Sequence, residues 1–140
     1  MRLMALDLGD RRIGVALSDP RKTVARGLQV IKRASRQADI NLIKSLVQEY
    51  DVEAIVVGHP LHLDGHAGEQ ARRAEEFTGQ LQREVEVPLV LWDEAFSTER
   101  ARQAMIEAGK RRKERKERLD AVAAAAILQD YLDTLRTDQA

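Results

Sequence analysis

Leu3-Met4-Ala5-Leu6-Asp7-Leu8, Gly9-Asp10-Arg11-Arg12 and Ile13-Gly14-Val15-Ala16-Leu17-Ser18 follow one another without a gap, and their reading decides the fold. In the first segment both alternating sets, Leu3/Ala5 and Met4/Leu6/Leu8, are apolar. Such a strand is covered on both faces, as a central strand of an α/β sheet is. The polar turn after it is short enough for the third segment to pair back as a hairpin. Asp7 is the one charge in the first strand, and an unpaired buried carboxylate costs several kcal/mol. Something must compensate it. Taken alone, a salt bridge to Arg11 or Arg12 would do so as well as any functional partner.

Outward from this hairpin, Gly27 to Ile31 reads as a third strand. The period then changes: Ile40, Ile43, Leu46, Val47 and Tyr50 recur at helical spacing, with Asp39 near the N-cap. Ala54 to Val57 is a short buried strand, stopped by Gly58-His59-Pro60 and a loop carrying Asp64-Gly65. A helix is expected from Glu69 to Glu84, packing through Ala71, Ala74, Thr78, Leu81 and Val85. Val87 to Trp92 makes a fifth strand, ending at Asp93-Glu94. Ser97 or Thr98 can cap a helix that Gly109 stops, and a last helix starts near Leu119 and runs past Tyr131. Three consecutive strands favour an antiparallel ribbon, while the βαβ units after them need parallel strands. The expected architecture is therefore α/β: a mixed five-stranded sheet with helices on its faces.

The chain's 140 residues suit one domain, taken as residues 1–136 with a frayed tail at 137–140. Lysine and arginine number 23, and aspartate and glutamate number 23, so a polycationic tail is excluded and only local patches can contact nucleic acid. With no cysteine, disulfides, thiol catalysis and Cys-ligated zinc are excluded. No run approaches the roughly 18 apolar residues of a membrane span, and Asp7 comes too early for a signal peptide, so the default reading is cytoplasmic with no membrane partner.

The acids carry the chemistry. Asp93-Glu94 falls at the C-terminal end of the last strand, where open α/β sheets place their ligands, although two acids before a helix are also an ordinary solvated turn. Asp120 opens the run Asp120-Ala121-Val122-Ala123-Ala124-Ala125-Ala126-Ile127-Leu128. Helical spacing groups it with Ala123, Ala124, Ile127 and Tyr131 on a small apolar face that can approach the sheet closely. Capping the helix is the alternative role for Asp120. Three carboxylates at the ends of packed elements suggest a site for hard cations. Mg²⁺ or Mn²⁺, as a pair of ions, would suit phosphodiester cleavage.

Four motifs in order carry a resemblance. Asp7-Leu8-Gly9-Asp10-Arg11-Arg12-Ile13-Gly14-Val15-Ala16, Gly58-His59-Pro60-Leu61 with Asp64-Gly65, Asp93-Glu94 with Ser97-Thr98, and Asp120-Ala121 with Ala124-Ala125-Ile127-Leu128 resemble the YqgF family over nearly the whole chain. These are pre-16S ribosomal RNA nucleases, also called RuvX or Holliday junction resolvase-like proteins. The resemblance implies a ribonuclease H-like fold with β1, β2 and β3 antiparallel and β4 and β5 parallel to β1. It implies Asp7, Glu94 and Asp120 as the catalytic, metal-binding acids, with Asp93 a fourth ligand or an outer group. It also implies a role in maturing the 5′ end of 16S ribosomal RNA, with branched-DNA cleavage as the other activity of relatives, and pre-ribosomal particles as partners of a monomer or homodimer. The sequence departs from the usual pattern at His59 and His62, where relatives often carry leucine and asparagine. Together with His66 these are all the histidines, and a structural or solvated role suits them better than zinc, since no His-Glu-x-x-His motif accompanies them.

Lys110 to Arg118 reads KRRKERKER, an excess of five positive charges just before Asp120. It is either a solvated charge run or a phosphate-gripping loop formed by Lys110, Arg111, Arg112, Lys113, Arg115 and Lys116. Arg11 and Arg12, with Arg72 and Arg73, extend that surface. Aromatic residues are too few for a base-stacking platform, and Trp92 reads as core. Two other functions compete with the nuclease. A nucleotide-binding domain of the actin and sugar-kinase type shares an Asp-x-Gly hairpin but normally needs two such domains. A non-catalytic RNA-binding ribosome-assembly module would gain nothing from three acids facing phosphate.

Overall fold

The computed structural model describes residues 1–9, 11–59, 68–93 and 116–139, with the backbone alone at positions 70, 93, 116–120 and 136–139. Strands β1 (Arg2–Leu8), β2 (Arg12–Ser18) and β3 (Ala25–Lys32) lead into α1 (Arg36–Glu49). Then come β4 (Val52–His59), α2 (Glu69–Glu84), β5 (Leu89–Asp93) and α3 (Lys116–Gln139). The five strands form one sheet in the order β3-β2-β1-β4-β5. β1 pairs antiparallel with β2, and β2 with β3, whereas β4 runs parallel to both β1 and β5. This is the mixed sheet expected from the sequence, with β1 at its centre. The helix expected between Ser97 and Ala108 lies outside the described residues. α3 begins three residues before Leu119 and continues through positions 137 to 139, where the sequence suggests a frayed tail.

The period-2 alternation of β1 serves two cores. Met4 and Leu6 join Ile13, Val15, Ile55 and Val57 beneath α1 and α2, packing on Ile40, Ile43, Phe77 and Leu81. Leu3 and Ala5 join Ala16 and Val56 beneath α3, against Ala124, Ile127, Leu128 and Leu132. Each of these fully buried Ile and Leu side chains contributes ~1.5–3 kcal/mol of apolar transfer, enough to hold α3 down although its mean hydropathy is modest. The sheet positions below α3 are small, Ala5 and Ala16, so the helix sits close. Closest of all is Gly27, where a Cβ would stand 2.9 Å from Ala121 Cβ and 3.2 Å from the Ala121 carbonyl oxygen. The amide of Gln129 clamps the same edge, accepting from Ala25 N–H at 2.9 Å and donating to the Thr23 carbonyl at 3.0 Å.

The sequence misplaces one cap. α1 is capped by Ser35, whose hydroxyl accepts from Ala38 N–H at 3.1 Å, not by Asp39. Asp39 lies four residues further on and is buried. Its carboxylate accepts from Ala34 N–H at 3.1 Å and stands 3.6 Å from Arg33 Nε. Serine caps as well as aspartate does, and the chain uses the acid to tie the helix start to the end of β3.

The β2–β3 turn is held by Asp19, whose Oδ1 accepts from Val24 N–H at 3.0 Å and Thr23 N–H at 2.7 Å. The Val24 bond, then the Thr23 bond, holds its carboxyl below the usual aspartate range. A depressed acid stabilises the turn above its unfolded pKa, and that contribution is lost as pH falls through the folded pKa. The Val24 and Thr23 amide proton shifts should therefore titrate together, with a midpoint below the ordinary aspartate value. Asp19→Ala should remove the titration, and a midpoint at or above the ordinary value would refute the role assigned to these bonds.

Candidate active site

Asp7 stands one residue from the C-terminal end of β1, facing Gly14 in the β1–β2 register. Alternation places both on the face that α3 covers, together with Ala5 and Ala16. Gly14 is buried and carries no side chain, so the space opposite the half-buried Asp7 carboxyl is left open by its strand partner. Asp7 is engaged by a partner in the structure. β1, β4 and β5 run the same way, so their C-terminal ends share one edge of the sheet, and β5 ends there at position 93. Position 93 pairs with His59, which puts those two on one face.

α3 lies across the Asp7 face. Ala121 lies above Gly27 of β3, and Gln129 lies above Thr23 and Ala25, so the helix runs opposite to β1 and β3 across the sheet. Position 120 belongs to the first turns of α3, one turn before the fully buried Ala124. The sheet level under Ala121 is that of Ala16 and Ala5, two residues before Asp7 on the same face of β1. Glu94 lies outside the described residues, as do Lys110 to Arg115, His62 and His66. Among the described residues no cluster of three metal-ligating side chains occurs. The described member of the expected set, Asp7, is a hard oxygen donor beside a glycine, and this suits Mg²⁺ or Mn²⁺ better than a soft or nitrogen-seeking ion.

Arg12 and Arg11 part company at the turn. Arg12 alternates with buried Ile13 and so shares the Asp7 face, and its Nε is buried without a hydrogen-bond partner among the described residues. Leaving a buried donor unpaired costs ~1–3 kcal/mol, more for a charged group, and an anion placed there would recover it. Arg11 is exposed and turned toward α1, lining a cleft with Lys32, Arg33 and Arg36. Gly9 closes the turn by donating its N–H to the Arg12 carbonyl at 2.8 Å, and a Cβ on Gly9 would meet that same oxygen at 2.8 Å. Arg33 Nη1 donates to the Gly9 carbonyl at 2.8 Å, and its guanidinium lies 5.5 Å from the centre of the Phe77 ring. Sequence reasoning missed Arg33, which clamps the turn after Asp7. No motif marks it, and only the adjacency of the β3 end to the hairpin turn reveals its role.

His59 is turned away from this face, its Nε2 lying 2.9 Å from Glu75 Oε1 on α2, which is the structural role expected of it. Trp92 packs beneath α3, edge-on to Tyr131 at 5.2 Å, with its indole N–H donating to Asp130 at 3.3 Å. It is core, as expected. Arg73 pairs with Glu69 on the exposed side of α2, 2.9 Å apart.

A family profile described as "RuvX: Holliday junction resolvase" matches residues 1–134. The chain belongs to the RuvX family. RuvX relatives include a protein of Halothermothrix orenii, 46% identical over 133 residues and covering 95% of each chain, and one of Syntrophomonas wolfei, 43% identical over 133 residues and covering 95% of this chain and 94% of its own. Both bear the name "Putative pre-16S rRNA nuclease". Among solved structures, the RuvX chain is similar to Thermus thermophilus RuvC in complex with a Holliday junction substrate. The TM-score is 0.57, with 15% identity over 97% of this chain and 96% of that one. It is also similar to the fowlpox virus resolvase bound to Holliday junction DNA, at a TM-score of 0.57 and 8% identity over 96% of this chain and 99% of that one. At such identities the likeness is one of fold, and it bears out the ribonuclease H-like fold expected of the RuvX chain. No helix among the described residues is long and apolar enough to cross a membrane.

Proposed function

We propose that this chain is a divalent-metal-dependent nuclease that hydrolyses phosphodiester bonds, acting in the cytoplasm on the 5′ end of the 16S ribosomal RNA precursor. The observation that carries the reading is the placement of Asp7, at the C-terminal end of the central strand, opposite a buried glycine and on the face that α3 covers. The names of the relatives supply the substrate. Asp7, Glu94 and Asp120 would hold Mg²⁺ or Mn²⁺; the strand register sets position 93 on the His59 face, away from Asp7, so Asp93 is left out of the set. Such ions, when bound, activate a water and stabilise the leaving oxygen.

The chain's own part is to bind and orient the strand. Arg12 presents a buried N–H, unpaired among the described residues, on the Asp7 face, a donor suited to a phosphate oxygen. Arg11 and the segment containing Lys110, Arg111, Arg112, Lys113, Arg115 and Lys116 add charge that grips phosphate without reading bases.

The test is cleavage of an end-labelled 16S precursor fragment with Mn²⁺ or Mg²⁺ by the purified chain and its Asp7→Asn, Glu94→Gln and Asp120→Asn variants. Metal-dependent products should appear with the parent and vanish in all three. Activity that survives in the three variants would sink this assignment of the acids. The likeness to junction-resolving folds favours branched DNA as the second substrate, so a four-way junction belongs in the same assay. Binding of RNA with no cleavage of either substrate would favour the non-catalytic assembly module.

A further inference from the structure

The cleft on the far side of the hairpin turn is built for a chain of phosphates. It occupies about 470 Å³ between the β1–β2 turn, the end of β3 and the start of α1, and is lined by Arg11, Lys32, Arg33, Ser35, Arg36 and Asp39 among others. Arg11, Arg33 and Arg36 surround one acid, with Lys32 at the rim on the face it shares with Arg12, and that acid is already committed. Asp39 is buried beneath Ala34 N–H and Arg33. Arg33 is fixed by the Gly9 carbonyl and the Phe77 ring, and forms a rigid cationic floor. Arg11 and Lys32 are exposed and make no ion pair among the described residues. Arg36 is tied only loosely, 3.3 Å from Gln80 Oε1 and 3.9 Å from Glu76, both at exposed positions where such contacts are worth little. The N-terminus of α1, whose dipole favours anions, opens into the same space.

We propose that this cleft grips the sugar–phosphate backbone of the substrate strand beyond the scissile bond, after the strand has crossed the β1–β2 turn. Continuity with the site supports a nucleic acid over an acidic protein surface. The residue whose carbonyl Arg33 holds, Gly9, lies two positions after Asp7, and Arg12 and Arg11 stand on the two sides of that turn. A strand with its scissile phosphate beside Asp7 and Arg12 meets Lys32, the register partner of Arg12, and then Arg11 and Arg36 across the turn. The proposal rests on the nuclease reading for its direction, but binding tests it without cleavage.

The probe is a 5′-labelled RNA covering the 16S precursor 5′ end, bound by the full chain in EDTA across a range of salt. Each lost phosphate contact lowers the slope of log affinity against log salt by ~0.7 on a single strand. Lys32→Ala/Arg36→Ala should lower it by about 1.4 and weaken binding about tenfold near 0.1 M salt. Arg21→Ala/Arg83→Ala, which removes two exposed charges outside the cleft, should leave the slope unchanged. Equal slopes in the two double variants overturn the cleft. In the parent, RNA should also shift the Arg36 and Gln37 amide resonances, and unmoved resonances would overturn it as well. A parent that binds through the cleft but never cuts would remove the nuclease reading alone. A parent that cuts with no cleft dependence would remove this proposal alone.

Discussion

Asp7→Asn is expected to lower phosphodiester cleavage by about 10³-fold or more, as loss of a residue acting within a catalytic unit does, while melting temperature and RNA affinity stay near those of the parent. The amide keeps the carboxylate's shape and most of its hydrogen bonding but not its charge, and charge is what the proposed chemistry needs. The position makes the test clean. Asp7 faces a glycine across the β1–β2 ladder and lies beyond the apolar layer of Ala5, Ala16, Ala124 and Ile127, so the exchange neither opens a cavity nor overpacks a core. Asp7 does have a partner in the folded chain, which keeps the structural salt bridge alive as an explanation. A variant that melts several degrees lower and loses binding together with cleavage would establish that explanation instead. Single-turnover cleavage, thermal unfolding and RNA binding on one preparation separate the two outcomes.

What the sequence made legible followed from local periodicity. The doubly apolar β1, the hairpin, the 3.6-residue period of α1 and the bounds of α2 are each encoded within a few neighbouring residues, and all four appear in the structure. The strand ends were read too short at β3 and β4, because the polar residues at a sheet's rim, Arg26, Glu53 and His59, carry no period of their own. The cap of α1 was misread because Ser35 and Asp39 are both good caps, and only burial shows which one turned inward. For the site, Asp7 was visible as a charge that its strand should not contain. Arg33 was not, since its importance depends on a carbonyl 24 residues away. Gly27 was read only as the start of a strand, whereas its neighbour in space is a helix almost a hundred residues further along the chain.

That last contact sets the height of α3 over the sheet, so Gly27→Ala should act on catalysis from outside the site. The added methyl would stand 2.9 Å from Ala121 Cβ and 3.2 Å from its carbonyl oxygen, and a main-chain oxygen cannot swing aside as a side-chain tip can. Either the edge strand or the first turns of α3 must move. β3 is held along its length by β2 and is pinned near Ala25 by Gln129, so the helix start is the freer of the two. Position 120 immediately precedes Ala121, and a displacement of about 1 Å in a catalytic group can cost ~10²-fold in rate. Overpacking of this kind costs ~1–3 kcal/mol in stability, which leaves a folded chain. The expected result is therefore a cleavage rate down about 100-fold, RNA affinity kept, and a modest fall in melting temperature. Ala121→Gly in the Gly27→Ala background removes the closer of the two contacts and should restore part of the rate, although glycine in a helix costs up to ~1 kcal/mol more. A Gly27→Ala chain that cleaves at the parental rate would mean that the start of α3 does not position the chemistry. A rate lost without any recovery in the double variant would assign the effect to β3 instead.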